Sequence, residues 1–593
     1  MFNRFTCVIA GALLIIMFFL AIFSVLNDSL TFDETAHIVA GYSYLTQKDY
    51  RVNPEHPPII KDLAASPLLF LNLNFPKDLP VWTELTPANW WEQFDLGFQF
   101  LYHSDNDPDQ IALYSRIPMI LLLLFFGWFL FYWTRKLFGN KTALFALFLF
   151  SFSPTFLAHG RLVTTDVGAA LGVVLATFFW LKFLKNPTKK NVFIAGLIFG
   201  FVMLLKFSLV LLVPFFAIIT LFYAWLKAEK QKYRFLKYIG LGLLVGIIGM
   251  VFVVWPVYQF HISNLSAEKQ LQDTQSLLLN SSIPEPLINL DVWMAQKSVL
   301  RPFSQYFFGL LMATNRSATG NTTYFLGEIS ASGRKNYFPV IYSIKIPLAF
   351  HILTLITLLY AAWLIKKPFW QETNRRIKDW IKNHFSEFAM LTFIGIYWLT
   401  SLTSDLNIGV RHLLPIFPFT FILVSTGIVK WIENIKKISL KKIAISFVSV
   451  LLGWYMISSI SCFPHFLSYS NELTGGPDKT YIYAVDSNLD WGQDLKRLKK
   501  WVDEKEINKI YVNYFGGGDV EYYLKEKYAP WWGTRNPEEL PKGSYIAVSA
   551  TLLQGGRAEP SKGFDQPSDY YCWLNKYTPV AQIGHSIFVY YID

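Results

Sequence analysis

The chain has 593 residues, of which 53% are hydrophobic, 18% aromatic and only 16% charged. An average soluble protein carries roughly 25% charged residues, and this many aromatic residues excludes a disordered chain. Three cysteines exclude a disulfide scaffold and a cysteine-rich metal site. The composition therefore predicts an integral membrane protein, and the net charge of +11 has to be read by position along the chain.

Eleven apolar segments are long enough to cross a membrane, which takes about 20 mainly apolar residues in a helix. The first is expected to be a retained span, because its apolar run is too long for the core of a signal peptide. Lys206 and Pro214 interrupt the stretch 192–226, which could form a hairpin or one broken helix. The predicted spans are 5–26, 113–133, 142–158, 166–184, 192–207, 208–226, 238–257, 341–365, 387–403, 412–430 and 443–463.

The distribution of Lys and Arg predicts the orientation of these helices. With the N-terminus inside, the inner segments hold 24 Lys and Arg, whereas the short outer turns hold only Arg161, Lys206 and Arg411. The bias predicts a cytoplasmic N-terminus and an extracytoplasmic C-terminus in a plasma or inner membrane. It also assigns most of the positive charge to anchoring at inner lipid headgroups, so no nucleic-acid partner is expected.

Three longer segments fall on the outer side, at roughly 27–112, 258–340 and 464–593. The last alternates short strand patterns with a helical one, which is typical of an α/β domain. We therefore predict an α-helical polytopic membrane protein with about 11 transmembrane helices. Its predicted domains are a transmembrane domain at 1–463 and an extracytoplasmic α/β domain at 464–593.

Asp33 and Glu34 follow the first span by a few residues. On a helix, Asp33 and His37 are four residues apart and share a face. One interpretation is a solvated helix N-terminus, where acidic residues are favourable. The other is a general base held at the depth of a lipid phosphate. The residues alone leave both open.

Three cations also map to the outer face. Lys61 follows His56 and two prolines that allow a helix to start, so it is either a loop anchor or a cation for an anionic headgroup. Lys206 lies in an apolar run, where a lysine is costly unless it is paired or snorkels, and a lipid phosphate would pair with it. Arg411 begins a late span and is either a headgroup anchor or a bidentate phosphate ligand.

Further charged residues lie at the same membrane face. Asp166, a few residues after Arg161, either caps a helix or faces the bundle interior with a function. Glu328 and Lys345 lie before and within the next span, and they could line one cavity or pair with each other. Acidic and basic groups from five distant segments at one depth predict one polar site open to the bilayer.

This constellation resembles the GT-C membrane glycosyltransferases, in particular the protein O-mannosyltransferase-like branch that uses a phospholipid-linked sugar. The likeness runs through nearly the whole chain. The motifs that carry it are Asp33-Glu34, His56-Pro57-Pro58 with Lys61, Arg161 with Asp166, 408–415, 471–477 and 486–494.

The resemblance implies transfer of a sugar from a polyprenyl-phosphate carrier, usually with inversion at the anomeric carbon. Asp33 would act as the base on the acceptor hydroxyl, and Glu34 and Asp166 would orient the acceptor or donor. A phosphate leaving group needs fixed cations more than a proton donor. The cations assigned to the carrier phosphate are Lys61, Lys206 and Arg411. The other candidates for the site are His37, His56, Arg161, Glu328, Lys345 and His412.

The acceptor stays open as a protein, a glycan or a lipid. The 258–340 segment is too short for the β-trefoil domain of eukaryotic O-mannosyltransferases, which puts a protein acceptor in question. Asp and Glu oxygens could hold a divalent metal, but we expect that none is essential. The alternatives are a transporter or flippase for lipid-linked sugars, with polar residues near the midplane, and a non-catalytic binding protein.

Overall fold

The computed structural model describes residues 4–87, 89–228, 233–278, 281–365 and 371–593. It is mainly α-helical, as predicted, with small sheets that draw largely on the C-terminal region. The first helices are α1 (Arg4–Val25), α2 (Phe32–Gln47), α3 (Ile59–Ala65), α4 (Pro80–Thr83), α5 (Glu92–Tyr102), α6 (Pro108–Ser151), α7 (Pro154–His159), α8 (Asp166–Lys185), α9 (Lys189–Met203), α10 (Leu212–Ala228), α11 (Tyr233–Gly249) and α12 (Trp255–His261). The remaining helices are α13 (Ala267–Leu278), α14 (Glu285–Ala295), α15 (Arg301–Thr319), α16 (Tyr337–Lys345), α17 (Leu348–Trp363), α18 (Thr373–Asn383), α19 (Phe385–Leu402), α20 (Phe417–Asn434), α21 (Ile438–Ile460), α22 (Leu495–Glu504), α23 (Val520–Leu524) and α24 (Ala550–Gly555).

Eight helices in the described ranges are long and apolar enough to cross a membrane, and the pair α16 and α17, bent by 109°, gives a ninth candidate. The predicted spans 113–133 and 142–158 both lie in α6, which Gly139 interrupts at φ 85° and ψ 179°. Glycine adopts this left-handed conformation at little cost. The predicted span 192–207 corresponds to α9, which has only 15 residues. At 1.5 Å per residue this helix is shorter than a hydrocarbon core of about 30 Å. Gly139 therefore separates the two predicted spans, although α6 counts once among the eight helices. The short α9 and the bent pair account for the rest of the difference from eleven spans.

Some of the inner cations that predict the orientation are not covered by the structure. Lys230, Lys232, Lys366 and Lys367 lie outside the described residues. Among those that are described, Arg135, Lys136 and Lys141 flank the break at Gly139.

The first outer segment folds into α2–α5 against the membrane helices. Helix α2 begins with a capping box, in which the Glu34 carboxylate accepts a hydrogen bond from the Thr31 backbone N–H at 2.9 Å. The T-x-x-E spacing of the sequence favours this start. The capping box fixes the first turn of α2, which carries Asp33.

The C-terminal region contains a five-stranded sheet. The strands of the chain are β1 (Thr323–Phe325), β2 (Glu328–Ser330), β3 (Ile510–Asn513), β4 (Tyr528–Pro530), β5 (Ser544–Ser549), β6 (Glu559–Pro560), β7 (Ala581–Ile583) and β8 (Ile587–Ile592). The order of the larger sheet is β4-β3-β5-β8-β7, with β4, β3 and β5 parallel and the rest antiparallel. Strand β6 also pairs with β2, so the tail joins the second outer segment.

The tail packs directly onto the start of α2. The Phe32 N–H donates to the Trp491 carbonyl at 3.0 Å. The Gly517 carbonyl accepts from the Thr35 hydroxyl at 3.2 Å and from the Tyr102 hydroxyl at 3.1 Å. A Cβ at Gly517 would lie 2.3 Å from the Thr31 oxygen, so only glycine allows this approach. The tail therefore covers the helix that carries Asp33.

Candidate active site

Four charged side chains meet at one end of the helix bundle, and we call them the central charge cluster: Asp33, Asp166, Lys206 and Arg411. Arg411 Nη1 lies 2.7 Å from Asp33 Oδ2 and 3.5 Å from Asp166 Oδ2. Lys206 Nζ donates to Asp166 Oδ1 at 2.5 Å. Acidic and basic groups thus alternate, and the structure brings together four residues predicted for the site.

Each member of the central charge cluster stands at the end of an element. Asp33 lies in the first turn of α2 and Asp166 is the first residue of α8, where the helix dipole favours a carboxylate. Lys206 is in an extended backbone conformation before the short 3₁₀ helix Phe207–Leu211. Arg411 lies in the 3₁₀ helix Val410–Ile416 that leads into α20. The breaks in the helices therefore place the charges at one depth.

A cavity of about 400 Å³ opens on one side of the central charge cluster. We call it the helix-side cavity, because α19 and the 3₁₀ helix Phe207–Leu211 before α10 supply part of its wall. Its charged and histidine lining comprises Asp33, His37, Glu55, His56, Lys206, Arg316, Arg411 and His412. Its apolar lining comprises Phe207, Val210, Leu211, Leu310 and Phe338 among others.

A second cavity of about 540 Å³ adjoins the first at Asp33 and Arg411 and also shares Glu55, Trp90 and Arg316 with it. We call it the tail-side cavity, because the C-terminal region supplies Asp486, Trp491 and Phe515 to its wall. The remaining lining includes Phe32, Trp90, Trp91, Asn315, Thr319 and Asn321. Asp33 therefore lines both cavities, which differ in the rest of their walls.

Asp33 is ionised in this environment. Burial by itself would raise the pKa of its carboxyl, but the Arg411 guanidinium holds that pKa below its usual value. Asp33 Oδ2 takes the hydrogen bond of Arg411, and the side chain remains 23% exposed. A carboxylate held ionised at a cavity wall has the properties of a general base.

Glu34 is fully buried away from both cavities. Arg116 donates to its two oxygens at 2.8 and 2.6 Å, and the Val163 N–H donates at 3.0 Å. These bonds outweigh burial and lower the pKa of Glu34. The structure does not bring Glu34 to the cavities where a substrate would lie. Its hydrogen bond with the Val163 N–H connects the first turn of α2 to the turn before Asp166.

Lys61 is also fully buried and lines neither cavity. Its ammonium donates to the Tyr44 hydroxyl at 2.8 Å, to both oxygens of Asn53 at 2.9 and 3.0 Å, and to the His56 carbonyl at 2.8 Å. An ammonium has three hydrogens, so these acceptors already engage all of them. Lys61 fixes the loop that carries His56 into the helix-side cavity.

Three further candidates have partners elsewhere. Arg161 is buried against Asp28 at 2.9 Å. Glu328 pairs with Arg334, and Lys345 donates to two backbone carbonyls of the tail at 2.9 and 2.5 Å. Glu328 and Lys345 therefore neither pair with each other nor line either cavity.

Three histidines line the helix-side cavity. His37 Nδ1 lies 2.8 Å from the Val163 carbonyl, and its ring centroid is 5.2 Å from that of His56. Burial lowers the pKa of both, that of His56 well below its usual value, so both rings are neutral at pH 7. His412 follows Arg411 and lines the same wall.

Sequence reasoning missed Arg316, which lines both cavities. Its guanidinium lies 4.5 Å from the Trp90 ring centroid and 3.6 Å from Glu55. It also missed the role of Trp491, whose indole lies 4.1 Å from the Arg411 guanidinium carbon. Arg316 belongs to no motif, whereas Trp491 lies in a tail motif that carried the resemblance without a role.

The described part of the chain contains no group of three or more His, Cys, Asp and Glu side chains placed to hold a metal ion. In the central charge cluster, Arg411 lies between the two carboxylates. Metal dependence therefore stays a prediction.

The helical architecture and the charged site at one bundle end are those expected of a membrane glycosyltransferase of the GT-C type. Residues 112–255 match the family model described as dolichyl-phosphate-mannose-protein mannosyltransferase. This segment carries Asp166 and Lys206, and over these residues the match agrees with the class predicted from the motifs. No curated protein matches the sequence.

Several solved structures are similar to this chain. ArnT from Cupriavidus metallidurans bound to undecaprenyl phosphate is 11% identical, with a TM-score of 0.46 over 100% of this chain and 98% of that chain. The oligosaccharyltransferase AglB from Archaeoglobus fulgidus, with an inhibitory peptide and a dolichol-phosphate, is 12% identical, with a TM-score of 0.48 over 92% and 69%. The S. cerevisiae Pmt1-Pmt2 complex bound to the sugar donor is 17% identical, with a TM-score of 0.34 over 48% and 38%. At such TM-scores the class rests on the matched segment.

Proposed function

We propose that the protein transfers a sugar from a polyprenyl-phosphate donor to an acceptor hydroxyl, with Asp33 as the general base. The observation that carries this proposal is the position of Asp33, which Arg411 keeps ionised where the two cavities adjoin. The charges stand at helix ends, whereas a transporter would place them near the membrane midplane. The geometry therefore favours catalysis over transport.

The helix-side cavity is the proposed donor site. Its apolar wall at Val210 and Leu211 suits the first isoprene units, and Lys206 and Arg411 face the same space. Lys206 has three N–H donors, of which Asp166 engages one. The other two and the Arg411 guanidinium are available to phosphate oxygens. They would stabilise the charge that develops on the departing phosphate.

The tail-side cavity is the proposed acceptor site. From there an acceptor hydroxyl would approach Asp33, which takes the proton as the oxygen attacks the anomeric carbon. The bond between that carbon and the phosphate oxygen breaks, and the electron pair leaves with the phosphate. Attack from the side opposite the leaving group inverts the anomeric centre. The acceptor class stays open as a protein, a glycan or a lipid.

Glu34 and Lys61 are proposed as positioning residues rather than substrate ligands. Glu34 fixes the first turn of α2 through Arg116 and Val163. Lys61 fixes the loop of His56. Both act on the site through the backbone that they hold.

We also propose that the N-terminus is cytoplasmic and that a C-terminal domain from about residue 464 lies on the extracytoplasmic side. The distribution of Lys and Arg supports this orientation. Protease added outside sealed spheroplasts should cleave the tail. Cleavage only from the cytoplasmic face would reverse the assignment.

The function is tested by a transfer assay with purified protein in nanodiscs. A panel of radiolabelled polyprenyl-phosphate sugars is offered with membrane extract as the acceptor. We expect Asp33→Asn to lose about 10²- to 10⁴-fold in turnover, the usual contribution of a general base, and to retain donor binding. The matched control is Asp565→Asn, an exposed carboxylate of the tail. Turnover of Asp33→Asn close to that of the control would refute the role of Asp33.

A further inference from the structure

A third cavity lies at the opposite end of the helix bundle from Asp33. It has a volume of about 1010 Å³ and is lined by α6, α8, α10, α19, α20 and the end of α18. Helix α8 begins at Asp166 in the central charge cluster and reaches this cavity with Lys182 and Lys185. Its 20 residues span about 30 Å, so the two sites lie at opposite faces of the membrane.

Lysines dominate the charge of this third cavity, which we call the lysine cavity. Its two carboxylates are already engaged: Lys141 bonds Glu433 at 2.8 Å, and His384 bonds Glu387 at 3.0 Å. Lys430 lies 3.8 Å from Glu387. Within the described ranges, the other lining lysines have no carboxylate within 4.0 Å. These are Lys136, Lys182, Lys185, Lys227 and Lys382.

Aromatic rings hold several of these lysines in place. The ammonium of Lys136 lies 5.5 Å from the Phe178 ring centroid. That of Lys227 lies 5.7 Å from the Tyr223 centroid. Such contacts orient a cation without neutralising it. The ammonium groups therefore surround one space and repel one another, and an anion in that space would relieve the repulsion.

The remaining wall distinguishes the lysine cavity from ordinary anchoring lysines at an inner membrane surface. Anchoring lysines stand separately at the headgroup level. Here they line a recess whose other walls are apolar side chains and a few hydroxyls and amides. The apolar lining includes Trp133, Leu137, Leu181, Leu226 and Val429, and the hydrogen-bonding lining includes Thr142, Asn383, Ser386 and Thr426.

We propose that the lysine cavity binds a phosphate-bearing anion, with the headgroup of an anionic lipid as its occupant. Basic pockets between transmembrane helices bind such headgroups, and the apolar wall suits the start of an acyl chain. A soluble pyrophosphate presents the same oxygens without the chain. The site lies at the far membrane face from Asp33, so it adds a function to the proposed transfer reaction and does not depend on it.

The test measures retention of cardiolipin by native mass spectrometry from nanodiscs of phosphatidylcholine with a small fraction of cardiolipin. The variant combines Lys136→Gln, Lys182→Gln and Lys227→Gln. We expect wild type to retain at least about tenfold more cardiolipin than the variant. The parallel variant with Arg at the same three positions should restore retention, which shows that a loss in the Gln variant is not a loss of fold.

A matched control removes equal charge from the same membrane face outside the lysine cavity, through Lys437→Gln, Lys441→Gln and Lys442→Gln at the start of α21. This control should retain cardiolipin as wild type does. Equal loss in both Gln variants, or no loss in either, would overturn the proposal. A second arm titrates pyrophosphate into pure phosphatidylcholine nanodiscs. Weaker binding of pyrophosphate than of cardiolipin supports the lipid, and stronger binding overturns the lipid as the occupant.

Discussion

Replacement of Arg411 by Gln should change the pH dependence of sugar transfer as well as its rate. Arg411 lies 2.7 Å from Asp33, whose side chain is 23% exposed. At that separation the attraction is about 6 kcal/mol for an effective dielectric constant of about 20 and about 1.5 kcal/mol in water. Because Asp33 is partly exposed, an effective dielectric constant of about 40 is appropriate, and the attraction between Arg411 and Asp33 is then about 3 kcal/mol. Without this attraction, burial raises the pKa of Asp33.

The direction of the expected change in rate with pH follows from the proposed role of Asp33 as a base, because a base has to be unprotonated to act. In wild type we expect the rate to stay flat on the acidic side of neutrality, because the pKa of Asp33 is lowered. In Arg411→Gln we expect the rate to fall as the pH decreases through a raised Asp33 pKa. Loss of a cation at the leaving phosphate should also lower turnover by about 10²- to 10³-fold at every pH.

The assay records initial rates between about pH 5 and pH 8 at saturating donor. Arg334→Gln is the matched control, because Arg334 pairs with Glu328 outside both cavities. Its profile should follow that of wild type. An Arg411→Gln profile with the same acidic limb as wild type would refute the idea that Arg411 keeps Asp33 ionised.

Two further substitutions separate positioning from substrate contact. Glu34→Gln leaves the buried Arg116 without its charge partner, which should cost about 3–5 kcal/mol of unfolding free energy, and thermal unfolding in detergent measures it. An unchanged Tm would contradict that reading. Lys61→Met leaves the oxygens of Asn53 and His56 without their donor, so the Tm should fall, since each unsatisfied group costs about 1–3 kcal/mol. Donor Kd of the folded protein should change less than about threefold, and a larger loss would make Lys61 a phosphate ligand.

The central charge cluster could be predicted because a membrane confines functional charges. Asp166, Lys206 and Arg411 stand where apolar runs begin or break, and hydrocarbon leaves few places for an ion. Their common depth followed from counting spans. The sequence could not show that Arg411 lies between two carboxylates, because that arrangement depends on how three distant helix ends pack.

The partners of Glu34 and Lys61 could not be predicted from the sequence. Both lie in motifs of the resemblance, yet most of their partners lie outside those motifs. Arg116 lies near the start of a predicted span, and a charged side chain at that position is expected to pair with an opposite charge. Two of the four acceptors of Lys61 are backbone carbonyls of the 53–56 loop, and no pattern in the side chains reveals those two.

The span count has a similar explanation. Hydropathy placed two spans on either side of Gly139, where the structure has a break, but it does not register a helix as short as α9 or the bend between α16 and α17. It also gave no sign of Arg316, because α15 lies in an outer segment with no membrane to constrain its polar face.

The contact between Trp491 and Arg411 has a consequence for the biogenesis of the protein. Asp33 emerges from the ribosome early, whereas Trp491 follows more than four hundred residues later. The Trp491 indole contacts Arg411, and its carbonyl accepts the Phe32 N–H at the start of α2. The nascent chain therefore has no finished site until its tail has been synthesised. We expect a protein cut short before residue 491 to be inactive even where its apolar helices enter the membrane, so each copy has to complete its tail before it can act.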